Sequence, residues 1–286
     1  MAGPTSLLNG TPQPLRLATR RPLIMGILNV TPDSFSDGGR FLNRRAALAR
    51  ARRMTEEGAD LIDVGGESTR PGSSGVRLKE ELRRVLPVIE RIAARLRAPL
   101  AISIDTSKAE VARRALEAGA SMVNDVTALR GDAAMAEVIA RRRASVILMH
   151  MRGTPRTMQR APRYRDVVDD VAQGLQAAAA RAQAAGIARE RIFLDPGLGF
   201  GKTLHHNLAL LRGLPRLAAL GFPLALGPSR KSFIGSLLGL EDPAERLTGT
   251  LACVAHAQRC GVAIVRVHDV RPAVQIIRML EAIEHG

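Results

Sequence analysis

Three residues able to hydrogen-bond a flat, nitrogen-rich ring, Asp105, Asn124 and Asp195, each sit at or near the end of a short apolar run. A carboxylate accepts two parallel N–H bonds from an amino-pyrimidinone edge much as it does from a guanidinium. Two acids and an amide therefore suit a planar heterocycle with several N–H donors. Helix capping is the competing explanation, since Asp105 precedes a helical stretch from Ala109 and Asp195 precedes a turn. Capping accounts for one of the three more readily than for all of them. Arg266 and His268 stand two apart on the last apolar run, so their side chains share a face. That pair makes a clamp for a diphosphate, with an ordinary ion pair as the alternative. Ser232, after Lys231, falls where a helix should start, which is an anion site built from backbone N–H groups or simply a cap.

Other chemistries find little support. There is no nucleophile elbow, HExxH pair or Cys/His cluster in the sequence. Residues 195–203 end in Gly-Lys-Thr like a phosphate loop, but Pro196 stands where that pattern needs its first glycine. The glycines at 197, 199 and 201 do not space as a dinucleotide fingerprint either. Binding and electrostatics are the expected work of these residues. Cys253 and Cys260, seven apart, fall on one face of a helical segment and are expected to be core thiols in a reducing, cytoplasmic setting.

The net charge is +15, yet only four of the 42 basic residues are lysines and the arginines are spread over almost every predicted helix. With one tyrosine and no tryptophan there is little to stack on bases, so no nucleic-acid partner is expected. A positive surface still attracts small anions. The rare lysines mark positions: Lys108, Lys202 and Lys231, though not Lys79, lie just after predicted strands. No apolar run approaches the ~20 residues that cross a bilayer, so no membrane partner is expected.

These groups need a frame, and the alternation of the chain supplies one. Strand-length runs at Leu23–Val30, Leu61–Gly65, Leu100–Ile104, Met122–Val126, Ser145–Met149, Ile192–Leu194, Pro223–Leu226 and Ala263–Val267 alternate with amphipathic stretches such as Arg44–Glu57, Leu82–Leu96 and Val111–Ala118. Gly58, Gly119, Gly186, Gly221 and Gly261 stand where helix C-terminal caps belong. Eight strand-helix units predict a (β/α)8 barrel in one domain over 22–286, behind a loose tail at 1–21. A doubly wound open sheet is the second architecture. Every strand ends in polar residues, which makes a ring at the end where such barrels place their sites.

At this point the motifs resemble a known family. Residues 25–39, Met-Gly-Ile-Leu-Asn-Val-Thr-Pro-Asp-Ser-Phe-Ser-Asp-Gly-Gly, and 62–72, Ile-Asp-Val-Gly-Gly-Glu-Ser-Thr-Arg-Pro-Gly, are similar to the signature segments of dihydropteroate synthases. Ser103-Ile-Asp-Thr-Ser-Lys, Asn124-Asp-Val, Asp195-Pro-Gly-Leu-Gly-Phe-Gly-Lys, Ser229-Arg-Lys-Ser and Arg266-Val-His-Asp follow in the family's order. The resemblance runs from about residue 22 to 280. It implies a condensation of a pterin diphosphate with p-aminobenzoate that releases pyrophosphate. Carried over, Asp105, Asn124, Asp195 and Lys231 hold the pterin, while Thr69, Arg70, Arg266 and His268 meet the diphosphate. Lys231, Arg266 and His268 are the implied catalytic residues, and Asn29 meets a Mg²⁺ cofactor riding on the diphosphate. Phe35, Pro71, Phe200 and Ser232 frame p-aminobenzoate. A homodimer, sulfonamide sensitivity and mobile loops at 31–43 and 66–78 are further implications. The alternatives are a pterin-dependent methyltransferase, which needs no diphosphate clamp, and a barrel that binds pterin without turnover.

Overall fold

The structure, a computed structural model, describes residues 21–31, 40–68, 73, 75–95 and 100–285. Strands and helices alternate from Leu23 onward. The order is β1 (Leu23–Asn29), α1 (Arg40–Glu56), β2 (Leu61–Gly65), α2 (Leu78–Arg95), β3 (Ala101–Asp105), α3 (Ala109–Glu117), β4 (Met122–Asp125), α4 (Met135–Arg142) and β5 (Ser145–Met149). It continues with α5 (Val167–Ala184), β6 (Ile192–Asp195), α6 (Leu204–Arg212), α7 (Leu214–Ala218), β7 (Ala225–Leu226), α8 (Ser232–Leu238), α9 (Leu247–Arg259), β8 (Ile264–Val267) and α10 (Val270–His285).

All the ladders are parallel, and the strands run in the order β6-β5-β4-β3-β2-β1-β8-β7. The cylinder closes between β6 and β7 through one bridge, Leu194 to Leu224, with the Leu194 N–H donating to the Pro223 carbonyl at 3.0 Å. This is the (β/α)8 barrel that the alternation predicts. The seam explains why β7 is two residues long instead of the expected Pro223–Leu226. Pro223 has no N–H to give a ladder, so only its carbonyl takes part.

Period-two alternation sorts each strand. Leu23, Met25, Leu61, Met122, Ile147, Phe193, Ala225 and Ile264 point inward and form a buried plug. Ile24, Leu28, Ile62, Val64, Val123, Val146 and Val265 point outward and join helix residues such as Val85, Ile89, Val171, Leu210 and Ile277 in one large core. The five capping glycines have φ between 70° and 114°, a region that only glycine enters at little cost. Helices α1 and α2 begin four residues earlier than their apolar pattern suggests. Cys253 and Cys260 are half-buried at the edge of the core and not inside it as expected. The buried stripe of α9 is Thr250, Val254 and Ala257, which leaves the thiols beside it. Burial still pushes the Cys253 thiol up to about 11, so it stays protonated and unreactive.

Candidate active site

Strand register lines up the polar rim. Asn29 pairs with Gly65, Gly65 with Asp105, and Asp105 with Asn124, so four successive strands place these residues side by side. A Cβ on Gly65 would lie 3.5 Å from Asn29 Oδ1 and 3.7 Å from Asp105 Oδ2, so the glycine keeps room between them. One inward position deeper, Asp63 pairs with Ser103.

A single network ties this rim to β8. Arg266 donates from Nε to Asp63 Oδ2 at 2.6 Å and from Nη2 to Asp105 Oδ2 at 2.7 Å. Asn124 Nδ2 donates to the same Asp63 oxygen at 3.0 Å. Arg266 therefore forms an ion pair here, and the acids hold its planar fork in place. Asp105 does not cap α3: Lys108 takes the N-cap position without a side-chain bond, and the Ala109 N–H donates to Asp132. The capping explanation fails there. At Asp195 a turn is real, with Oδ1 accepting from the Gly197 N–H at 2.7 Å. Gly197 has φ +69°, and a Cβ on it would fall 2.1 Å from the His150 carbonyl oxygen.

Lys231 stands at the N-cap of α8, donates to the Leu198 carbonyl and lies 4.8 Å from the Phe200 ring centre. A Cβ on Gly227 would lie 3.9 Å from Lys231 Nζ and 3.8 Å from Arg266 Cβ. Asp105, Asn124, Asp195, Lys231 and Arg266 thus surround one space. Burial pushes Asp105 upward, opposed by Arg266 and reinforced by Asp63. Burial also raises Asp195, opposed by Lys231. Lys231 is pushed down to about 8 by burial, against the pull of Asp195. Burial works against the charge of Arg266, but Asp63 and Asp105 outweigh it. His268 follows β8 on the same rim. Ser229 Oγ accepts from the His268 backbone N–H at 3.1 Å and lies 2.9 Å from the ring Nδ1.

Buried oxygens beneath the rim remain unmatched: among the described residues neither Asp63 Oδ1 nor Ser103 Oγ finds a partner. Unpaired acceptors in a buried layer suit a ligand that brings N–H donors.

Comparison with known proteins identifies the family. The pterin binding enzyme family matches residues 25–268. A dihydropteroate synthase from Synechocystis sp. is 49% identical over 264 residues, covering 92% of this chain and 91% of the relative. The chain belongs to the dihydropteroate synthases. A solved dihydropteroate synthase from Xanthomonas albilineans with 4-aminobenzoic acid superposes with a TM-score of 0.87 at 48% identity, covering 93% of this chain and 94% of that one. The X. albilineans synthase in complex with 7,8-dihydropteroate gives 0.86 at 45% identity, with coverage of 95% and 96%.

The remaining expected synthase residues divide in two. Asn29 and Phe200 are half-buried, and Ser232 is exposed as the first residue of α8. Phe35, Thr69, Arg70 and Pro71 lie outside the described residues, as do 1–20 and most of the 31–43 loop. The entry to the 66–78 loop is tied down: Lys108 bridges Glu67 and the buried Glu81, and Thr106 Oγ1 donates to Glu81 at 2.7 Å. Among the described residues, no group of three or more His, Cys, Asp and Glu is placed to hold a metal ion.

Sequence reasoning gave no role to Asp63, Ser229 or Lys202. Asp63 had a signal, since an acid inside the run Leu61-Ile-Asp-Val-Gly is costly to bury without a partner. Lys202 is 4% exposed, donates to the Phe200 carbonyl at 2.9 Å, and lies 3.2 Å from His150 Nδ1. Burial and the nearby Lys231 push it down to about 7.

Proposed function

We propose that this chain condenses 6-hydroxymethyl-7,8-dihydropterin diphosphate with p-aminobenzoate, giving 7,8-dihydropteroate and pyrophosphate. The observation that carries the reading is the joined set of Arg266, Asp63, Asp105 and Asn124, with Asp195 and Lys231 facing the same space. The acids and the unmatched Asp63 and Ser103 oxygens accept from the N–H groups of the pterin, while Asn124 and Lys231 donate to its acceptors. Arg266 spends only part of its five-donor fork on the two acids, so donors are left for phosphate oxygens. His268 brings its ring to the same group, and Thr69 and Arg70 complete the clamp.

Negative charge builds on the diphosphate as it leaves, and Arg266 and His268 are already oriented toward it before the bond breaks. Positive character left on the methylene spreads into a ring held by carboxylates. The arylamine of p-aminobenzoate then attacks, framed by Phe200, Phe35 and Pro71, with its carboxylate toward Ser232 at the start of α8. Asn29 offers an amide oxygen beside Asp105, a hard donor that suits Mg²⁺. A Mg²⁺ held there would help neutralise the charge on the diphosphate.

The same reading includes a cytoplasmic homodimer. Two unpaired thiols and the exposed Leu237, Leu238, Met279 and Ile283 on α8 and α10 support it. No helix among the described residues is long and apolar enough to cross a membrane. The test is to mix the purified protein with the pterin diphosphate, p-aminobenzoate and Mg²⁺. Pyrophosphate and dihydropteroate should appear in equal amounts, each dependent on both substrates. Pterin binding without pyrophosphate release would overturn the reading in favour of a non-catalytic barrel.

A further inference from the structure

Beside the 195–203 loop lies a second cavity of about 800 Å³, walled by the segment between β5 and α5 and by the start of α5. Arg130, Arg152, Arg163 and Arg165 line it, against one carboxylate, Asp170. Several arginines elsewhere in this chain sit with acids, as Arg113 does between Glu110 and Glu117 and Arg230 does on Asp269, while others such as Arg181 and Arg246 rest on carbonyls. What sets this concavity apart is four arginines gathered around one acid. Arg130 is held by neutral carbonyls, Thr127 at 3.0 Å and Met151 at 3.1 Å. Arg152 donates to the Arg163 carbonyl, lies 4.9 Å from the Tyr164 ring centre, and reaches Asp170 only at 4.0 Å. Among the described residues no carboxylate lies within ion-pair distance of the side chains of Arg130, Arg163 or Arg165, though Asp125 acts on Arg130 from further off and the Arg165 backbone N–H donates to Asp170 at 3.3 Å. Gathering like charges in one concavity is unfavourable unless an anion joins them.

His150 adds a polar floor. Lys202 Nζ lies 3.2 Å from its Nδ1. The ring is pressed against α5 at Gly174, where a Cβ would come within 2.8 Å of it. The wall is also tied to the catalytic loop. Tyr164 donates to the Gly201 carbonyl at 2.9 Å, and Gln159 donates to the Gly199 carbonyl at 2.6 Å.

We propose that this cavity binds a phosphate-bearing anion, with Arg163 and Arg165 as the main contacts and Arg130 and Arg152 as fixed supports. It is independent of the reaction assigned above. An occupant neutralises the wall that holds residues 199–201 and so steadies the loop carrying Asp195 and Phe200.

The chain has one tyrosine and no tryptophan, so its intrinsic emission reports Tyr164 in this wall and nothing else. The full-length protein is titrated with pyrophosphate and, separately, with fructose 1,6-bisphosphate while tyrosine emission is followed. A saturable change is expected, and it should persist in Arg266→Ala, which removes the diphosphate contact of the catalytic site. An Arg163→Ala/Arg165→Ala variant should raise half-saturation by roughly tenfold or more. Arg271→Ala/Arg278→Ala, which removes equal charge from α10, should leave it within about twofold. Response to pyrophosphate alone assigns the free anion, and response to the sugar phosphate alone assigns an organic phosphate; either upholds the pocket. The proposal is overturned by no saturable change with either anion, by a loss in Arg266→Ala, or by equal weakening in the α10 variant.

Discussion

The two ends of the barrel interior are built by the same strands with the same alternation, yet they hold opposite chemistry. At the N-terminal end, Leu23, Met25, Leu61, Met122, Ile147, Phe193, Ala225 and Ile264 fill the cylinder with apolar volume. A few residues further along, the inward positions become Asp63, Ser103, Asp105, Asn124, Asp195 and Arg266. The first layer gains free energy from burial. The second gives some up, because buried acids and cations lose hydration that their partners only partly restore. The barrel is stabilised at one end and made able to bind at the other.

That contrast can be broken at either end. Phe193→Ala in the plug should cost about 3–5 kcal/mol of unfolding free energy, read from denaturant melts. A loss under about 1 kcal/mol would mean the plug is not what holds the barrel. Asp63→Asn keeps the shape of the upper layer but removes the charge that orients Arg266. It should lower kcat/KM by roughly 30-fold or more, about 2 kcal/mol, with a far smaller change in stability. Equal kcat/KM would show that Arg266 needs no such anchor.

Lys202 sharpens the comparison through pH. Its folded value is lowered to about 7 from the ordinary 10.5, so between those values the unfolded chain holds a proton that the folded chain has released. Stability contributed by this group therefore rises with pH across that window, by at most about 1.4 kcal/mol per pH unit. Lys202→Met should lose that part of the slope; an unchanged slope contradicts the assignment. The smallest effect is expected from Ser229→Ala, which removes the hydroxyl beside His268 Nδ1. A fall in kcat of about fivefold, near 1 kcal/mol, is predicted, with KM for p-aminobenzoate unmoved.

Much of this frame is legible in the sequence, and the reason is local. Leu61–Gly65 and Ser145–Met149 are read to the residue because a bounded apolar run marks a strand buried on both faces. Asp105 and Asp195 are visible because each sits at the end of such a run, whereas Asp63 lies in the middle of one. Contacts between distant strands leave no local trace: Arg266 and Asp63 are 203 positions apart, and only barrel closure brings them to 2.6 Å. The half-buried cysteines follow from how α9 rotates against its neighbours, which a spacing of seven does not specify. The short β7 was readable in hindsight from Pro223, whose missing N–H limits any ladder.

Asp195 offers the most direct test of the upper layer's role. Burial raises it above the ordinary carboxyl range, so its charge weakens the fold at neutral pH instead of supporting it. Calorimetric titration of the pterin diphosphate into Asp195→Ala should show affinity reduced by about 100-fold or more, while the unfolding midpoint at pH 7 stays level or rises. Unchanged pterin affinity in a folded Asp195→Ala protein would contradict the account.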